Sequence, residues 1–335
     1  MRSHISVPVS ESSQPVAARL AARDFARELK FSEEDSHRAG LVATELATNL
    51  VKHTQAGGEM LLRPRVDEGD VEILALDRGP GIADIDASMT DGHSTTGSPG
   101  TGLGAVRRIA DTFEAYSTRG QGTVVLARVR GGPAPVARRA WPNLSVAGIS
   151  VARTGESACG DGWLVRDHPS GPIVVIADGL GHGPDAAAAA SAAMDALSTA
   201  NFGSLPEALG LAHVALRPTR GAALSLFQFD RGAGLARFSG IGNVSGTICL
   251  NGTTRQAVSL NGTLGHEART FREFSYPWPP GALFVMYSDG LISHWTLEGY
   301  PGLLTRDPVI IAAVLYRDFS RGKDDVTVVV GREVA

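Results

Sequence analysis

Two sets of residues in this 335-residue chain are suited to handling phosphate, and their chemistries run in opposite directions. Glu45, Asn49 and His53 lie four residues apart in an apolar-periodic segment, so all three project from one face of a helix. An Asn alone in such a place would be an ordinary solvated polar residue. It is followed, however, by Asp77-Arg78-Gly79-Pro80-Gly81-Ile82 at the end of an apolar run, and then by Gly100-Thr101-Gly102-Leu103-Gly104 opening another helix. A glycine-rich turn at a helix N-terminus turns backbone N–H groups and the positive dipole end toward a phosphate. A lone turn of this kind is weak evidence, whereas three elements in a fixed order are much stronger.

The second set is made of aspartates. Asp161 follows Cys159-Gly160, Asp178-Gly179 leaves the apolar run 173–177, Asp289-Gly290 ends the run LFVMYSD, and Asp324-Asp325 precedes VTVVV. Any one Asp at a strand end reads first as a turn former. Carboxylates converging from several strands instead supply hard oxygen ligands for Mg²⁺ or Mn²⁺, ions that keep and acidify bound water. His182 follows closely in the run DGLGHG, as a candidate proton donor or a turn residue, and Arg153 and Arg220 are candidate phosphate contacts near strand ends.

The elements that must position these residues follow from periodicity. Val16, Leu20, Phe25 and Leu29 predict a helix over 15–29 behind Ser13; Ser32 with the following acids predicts a second through His53, with Leu41, Leu46 and Leu50 facing a core. Strands are expected at 60–66, 71–76 and 122–129, and a helix from Gly102 carries Val106, Ile109 and Ala110 inward. Residues 83–100 read as a long loop, and 131–142, GGPAPVARRAWP, reads as an interdomain linker. Beyond it, strands are expected at 144–152, 173–177, 222–229, 235–240, 246–250, 283–287 and 326–330, with helices at 185–199, 206–216 and 308–319. That mixture predicts layered antiparallel sheet flanked by helices. No internal repeat is visible.

Length and a 43% hydrophobic content suit two packed domains. Lys+Arg 31 against Asp+Glu 35 gives a net charge of −4, so no basic field is available to attract nucleic acid or an anionic membrane. Cys159 and Cys249 form neither a CxxC pair nor a zinc spacing, no apolar run reaches spanning length, and the start MRSHISVPVSESS lacks an apolar signal core. A cytoplasmic protein is the expectation.

The boxes ELATNLVKH, DRGPGI and GTGLGAVRRIAD resemble the N, G1 and G2 boxes of the GHKL ATPase superfamily. With GQGTVV they look most like the RsbT-like branch of the anti-sigma-factor serine kinases, over about residues 15–130. The resemblance implies ATP with Mg²⁺ held by Asn49, Glu45 as the base acting on the attacking hydroxyl, and Asp77 accepting the adenine amino group. It also implies that Gly79 and Gly81 pass close to the base, that Gly100, Gly102 and Gly104 cradle the phosphates, and that Thr123 lies at the adenine end. One departure is that 83–100 contain no Lys or Arg for the migrating phosphoryl group.

GDGW, ADGLGHG, SDGL and DDVTVVV, in that order, resemble the metal-dependent phosphatases of the protein phosphatase 2C type, the SpoIIE and RsbX branch being nearest because RGAALSLFQFD and GIGNVSG also match. This resemblance covers about 144–331 and implies two Mn²⁺ or Mg²⁺ ions: Asp178 bridging both, the Gly179 carbonyl on one, Asp289 and Asp324 on the other, and Asp161 holding the first through water. Asp325 is read as supporting the ligands rather than joining them. The expected fold is α+β, a GHKL α/β sandwich over 1–131, a linker over 132–143, and an αββα sandwich over 144–335. The implied function is a bifunctional regulator that phosphorylates and dephosphorylates Ser or Thr on a STAS-domain anti-sigma antagonist or stressosome-like partner, and so acts in a sigma-factor pathway. The alternative is a phosphatase whose front domain only binds ATP and a partner protein.

Overall fold

The computed structural model describes residues 3–85, 102–132, 144–230, 232–250 and 253–333. They form two compact units, one of Arg2–Ala137 with Gly299–Arg317, the other of Arg138–Glu298 with Asp318–Ala335 apart from the first residue.

In the front unit, β1 (Ile5–Val9), β2 (Gly58–Arg65), β3 (Asp70–Asp77), β4 (Thr112–Ser117) and β5 (Thr123–Arg130) form an antiparallel sheet in the order β1-β2-β3-β5-β4. Helices α1 (Pro15–Glu28), α2 (Glu33–His53) and α3 (Gly102–Ile109) accompany it. Helix α2 begins where expected, because the Ser32 hydroxyl accepts from Asp35 N at 3.0 Å and three acids occupy the first turn. Helix α1 begins at Pro15 with Gln14, not Ser13, in the N-cap position; the Gln14 side chain does not cap the helix but folds back to accept Glu11 N at 2.8 Å. Ala18, Ala22, Ala39, Leu46 and Leu50 pack with Met60, Leu62, Ile73, Val125 and Ala127 from one sheet face. Leu41, expected inward, is 39% exposed, since five helical residues rotate it well away from Leu46.

The opposite sheet face is buried as well. Register places Leu61 opposite Leu74 and Leu74 opposite Leu126, all fully buried, with Arg63, Glu72 and Arg128 aligned two residues along on the same face. Arg63 donates to Glu72 at 2.7 Å and Arg128 at 2.8 and 2.9 Å. Burial opposes the Glu72 charge, but the pull of Arg63 and Arg128 outweighs it and holds the carboxyl well below the usual range. The same face receives α6 (Pro308–Phe319). Asp307 caps α6 through Val309 N (2.9 Å), accepts Arg128 Nη1 at 2.9 Å, and donates its own N–H to Glu114 at 3.2 Å. At the other end Tyr316 donates to Glu59 at 3.0 Å and Arg317 to the Asp77 carbonyl at 3.1 Å. These bonds correct the expected contiguous rear domain over 144–335: residues Gly299–Arg317 group with the front unit, because α6 is apolar around its circumference and its polar ends find partners on that sheet. Periodicity could not show this, since an all-round apolar helix carries no directional stripe.

In the rear unit, one sheet runs β13-β10-β9-β8-β7, from Phe274–Pro277, Leu235–Ile241, Ala222–Asp230, Ile173–Gly179 and Asp161–Arg166. The other runs β12-β11-β14-β15-β6, from Thr253–Gln256, Ser245–Leu250, Leu283–Tyr287, Val326–Glu333 and Leu144–Val151. Trp163, Ile176, Phe227 and Phe238 of the first pack with Phe284, Met286 and Val329 of the second in one core. Helices α4 (Pro184–Thr199) and α5 (Leu205–Leu216) cover the first sheet's outer face through Ala189, Ala193, Leu197, Leu205 and Leu209. Strands β1, β4, β7, β12 and β13 escape periodicity because they are short, β7 because it starts inside an Asp-Gly motif. The linker expected at 132–143 lies almost wholly outside the described residues. No described helix is long and apolar enough to cross a membrane.

Replacing Glu72 by Ala leaves Arg63 and Arg128 buried without their counter-ion, and an expected loss of about 3–5 kcal/mol in front-unit stability is readable by urea unfolding monitored through hydrogen exchange in β3. Because the folded pKa of Glu72 is depressed, its contribution is present above the ordinary glutamate value of about 4.3 and is lost as pH falls through the folded value. The Glu72→Gln chain should therefore show a shallower acid-side loss of stability; an unchanged slope would contradict the assignment.

Candidate active sites

The front site starts where β3 ends. Asp77 Oδ1 accepts Gly79 N at 2.7 Å, and Thr123 bonds the same carboxylate through backbone and side chain. Burial raises the Asp77 pKa, and these hydrogen bonds work against the rise. Gly81 has φ +73° and Gly122 φ +81°; a Cβ would lie 2.4 Å from Thr118 O at the first and 2.0 Å from Asp77 O at the second. Both positions therefore demand glycine. Ser117, not singled out from sequence, accepts Ile82 N at 2.7 Å and sits 3.0 Å from the Thr123 hydroxyl, joining the DRGPGI turn to β4 and β5.

Helix α2 carries Glu45 and Asn49, both half-buried, and brings Asn49 to the start of α3. A Cβ on Gly102 would stand 3.0 Å from Asn49 Oδ1, and Asn49 Nδ2 is buried without a hydrogen-bond partner among the described residues. A buried amide left unsatisfied is costly unless a ligand takes it up. The first and third sequence boxes are thus brought together, with Gly104 buried one step further along α3. The residues present fit a nucleotide phosphate with its cation. His53 is exposed in the last turn of α2. Gly100 and most of 83–100 lie outside the described residues.

The rear site forms where the two sheets' motif ends meet. Register pairs Asp161 of β7 with Asp178 of β8. Asp178, Asp289 and Asp324 line one cavity of about 580 Å³ together with Arg153, His182 and Asn243. Burial pushes the Asp178 carboxyl up, and the neighbouring charges of Asp161, Asp289, Asp324 and Asp325 push it further. Asp161 is likewise raised by burial, although Ser288 donates to its Oδ2 at 2.6 Å; its Oδ1 is buried with no hydrogen-bond partner among the described residues. Such crowding favours bound cations. Among the described residues no three His, Cys, Asp or Glu side chains form a ready-made chelate. A donor set of separated carboxylates fits ions that take one or two from protein and complete their shells with water.

Asp325 does not face the cavity as a free ligand: its two oxygens accept Arg153 N at 2.8 Å and Gly160 N at 3.0 Å. The glycines after the aspartates have a packing reason of their own. A Cβ on Gly179 would lie 2.1 Å from Ala186 O in α4, and one on Gly290 would lie 2.0 Å from Asp325 O. His182 bonds Glu156 at 2.6 Å. Arg220 pairs with Asp185 at 2.5 Å and is not part of the cavity wall, whereas Arg153 is. Sequence reading passed over Asn243, which donates to Asp289 at 2.7 Å, and Ser288. Their only signal was adjacency: Ser288 immediately precedes Asp289, and Asn243 lies in GIGNVSG.

Residues 9–129 match the family described as Histidine kinase-like ATPase domain, and residues 169–332 match Stage II sporulation protein E (SpoIIE). Serine/threonine-protein kinase RsbT of Bacillus subtilis (strain 168) is 41% identical over 115 residues, 33% of this chain and 85% of that protein. Phosphoserine phosphatase RsbX of the same organism is 22% identical over 140 residues, 42% of this chain and 70% of RsbX. A solved structure from work on the bacterial stressosome, described as a modular system adapted to control secondary messenger signaling, is 30% identical with a TM-score of 0.52, covering 56% of this chain and 99% of its own. RsbX in complex with magnesium has a TM-score of 0.50 at 19% identity, covering 58% and 96%, and bears on the fold alone. The chain therefore belongs to the histidine kinase-like ATPase family of RsbT, and it joins that domain to a SpoIIE-type, protein phosphatase 2C-like domain resembling RsbX.

Proposed function

We propose that this chain sets the phosphorylation level of a Ser or Thr on a partner protein, its front domain adding the phosphoryl group from ATP and its rear domain removing it. What supports this reading is that the front unit brings Gly102 up to Asn49 and holds Asp77 in the DRGPGI turn, while the rear unit gathers Asp178, Asp289 and Asp324 on one cavity. A STAS-domain antagonist of an anti-sigma factor, free or within a stressosome-like assembly, is the partner the RsbT and RsbX likenesses favour.

In the front site Asn49 would hold Mg²⁺ with ATP, Gly102 and Gly104, with Gly100, would receive the phosphates, and Asp77 with Thr123, Gly79 and Gly81 would take adenine. Glu45 orients the partner's hydroxyl and accepts its proton. In the rear site Asp178, Asp289, Asp324, Asp161 and the Gly179 carbonyl would hold two Mn²⁺ or Mg²⁺ ions, which supply an acidified water and neutralise phosphoryl charge. Asn243 and Ser288 orient the Asp289 and Asp161 carboxylates, and Arg153 offers a cation to the phosphoryl oxygens from the cavity wall.

Asp178→Asn or Asp289→Asn is expected to lower Mn²⁺-dependent hydrolysis of an aryl phosphate by about 10³ or more; full activity in either chain would refute the carboxylate assignment. With the phosphatase silenced by Asp178→Asn, radiolabel from ATP should accumulate on a STAS-domain partner, and adding Asn49→Ala should abolish both that label and nucleotide binding. A second reading makes the front domain an ATP-dependent binding module without transfer, favoured by the lack of Lys or Arg in 83–100. Intact nucleotide binding with no label on any partner would decide for it.

A further inference from the structure

Part of the rear cavity's wall is nearly bare backbone. Besides the carboxylates, Gly181, Ala223, Gly242 and Gly262 line the cavity, and Asn261 and Thr263 flank the last of these glycines. Steric limits within the protein keep this wall bare. A Cβ on Gly242, whose φ is +92°, would stand 2.6 Å from Ala223 Cβ, and one on Gly262, at φ +142°, would stand 2.5 Å from Glu267 O. The wall is also fixed to the strand that carries Asp178. Register sets Ala222 opposite Gly179, and Ala222 exchanges backbone hydrogen bonds with Leu264 at 2.9 and 3.2 Å. On the other side of Asn261, Leu260 N donates to Gly240 O and its carbonyl accepts Gly242 N, both at 2.8 Å. Asn261, Gly262 and Thr263 are therefore held between two anchored residues, Leu260 and the fully buried Leu264. All of these residues belong to the rear unit.

The polar residues of this wall differ from Asn243 in the same cavity. Asn243 is engaged by Asp289, whereas among the described residues the side chains of Asn261 and Thr263 make no hydrogen bond. Asn offers a carbonyl oxygen and an amide N–H, and Thr a hydroxyl that donates or accepts. A polypeptide main chain presents the matching groups, one donor and one acceptor per residue. Bare glycine backbone lets a second main chain approach closely. Residues 260–264 carry no charge, so this wall suits main-chain groups and does not select for charged side chains. We propose that Asn261 and Thr263 determine specificity at the rear site: they hydrogen-bond the main chain of an extended phosphoseryl segment whose phosphoryl group enters the carboxylate side of the cavity. The inference rests on the phosphatase reading given above. It adds that the substrate is held as a peptide, and it names the residues that separate a peptide from a small phosphate ester.

The test uses the full chain at saturating Mn²⁺ with two substrates. One is an aryl phosphate; the other is a peptide of alanine and glycine around a single phosphoserine, which offers only main-chain groups beyond its phosphate. In the chain carrying both Asn261→Ala and Thr263→Val, KM for the peptide is expected to rise about ten-fold while kcat stays within about two-fold, as for lost binding to neutral groups. Hydrolysis of the aryl phosphate, which has no main chain to hold, and the half-saturating Mn²⁺ concentration should each change by less than about two-fold. A general disturbance of the cavity would move all of these together. Thr263→Ser, which keeps the hydroxyl, should retain the natural KM. Asn261→Ala alone, at an exposed position, is expected to raise the peptide KM about three-fold and serves if the double variant does not fold. An unchanged peptide KM, a parallel fall on both substrates, or a natural chain that hydrolyses the aryl phosphate but not the peptide would overturn the inference. No Mn²⁺-dependent hydrolysis of either substrate by the natural chain would instead overturn the phosphatase reading on which it rests.

Discussion

Like charges held together by backbone pairing constrain the rear unit most strongly. The β7–β8 register sets Asp161 opposite Asp178, and the ends of β14 and the turn before β15 add Asp289 and Asp324 to the same region. Side chains on loops would swing apart under that repulsion. The β7–β8 ladder prevents this for Asp161 and Asp178, and donors aimed at chosen oxygens offset part of the cost: Ser288 on Asp161, Asn243 on Asp289, and the two backbone N–H groups on Asp325. What remains is a negative field that burial intensifies, raising the Asp178 and Asp161 carboxyl pKa values. Such a field favours cations in the cavity.

The front unit meets a related problem with the opposite solution. Its charges are buried with their partners: Glu72 lies between Arg63 and Arg128, and Asp307 at the head of α6 takes the remaining reach of Arg128. Because such clusters contribute geometric specificity more dependably than net stability, their effect here is to define where α6 begins on the sheet. The apolar row Leu61, Leu74 and Leu126 then fills the middle of that face, and Glu59 and the Asp77 carbonyl define where α6 ends. A helix encoded between the SDGL and DDVTVVV motifs is in this way seated on the sheet of the ATPase-like domain.

Much of this was legible beforehand. Ser32 with three following acids announced α2, and apolar alternation announced β2, β3 and β5. The Asp-Gly motifs proved to sit at strand ends as read, although Gly179 and Gly290 are required by close backbone approach to Ala186 O and Asp325 O. Polar supports such as Ser117, Ser288 and Asn243 were not legible, because a Ser or Asn carries no periodic signal and acquires meaning only from what it faces. Nor was the partition of the chain, which sequence order presented as two consecutive domains.

Residue order by itself determined which chemistries are present, since carboxylates at strand ends and glycines at a helix start are properties of local pattern and backbone sterics. It also determined the alternation that makes each sheet two-faced. Only the tertiary structure decided that Asp325 supports instead of lining the cavity, that Arg153 and not Arg220 reaches it, and that α6 belongs with the nucleotide sheet. The reason is physical: those outcomes depend on contacts between residues as distant as Arg128 and Asp307 or Asp77 and Arg317, whose energies exist only once the chain has brought them within hydrogen-bonding range.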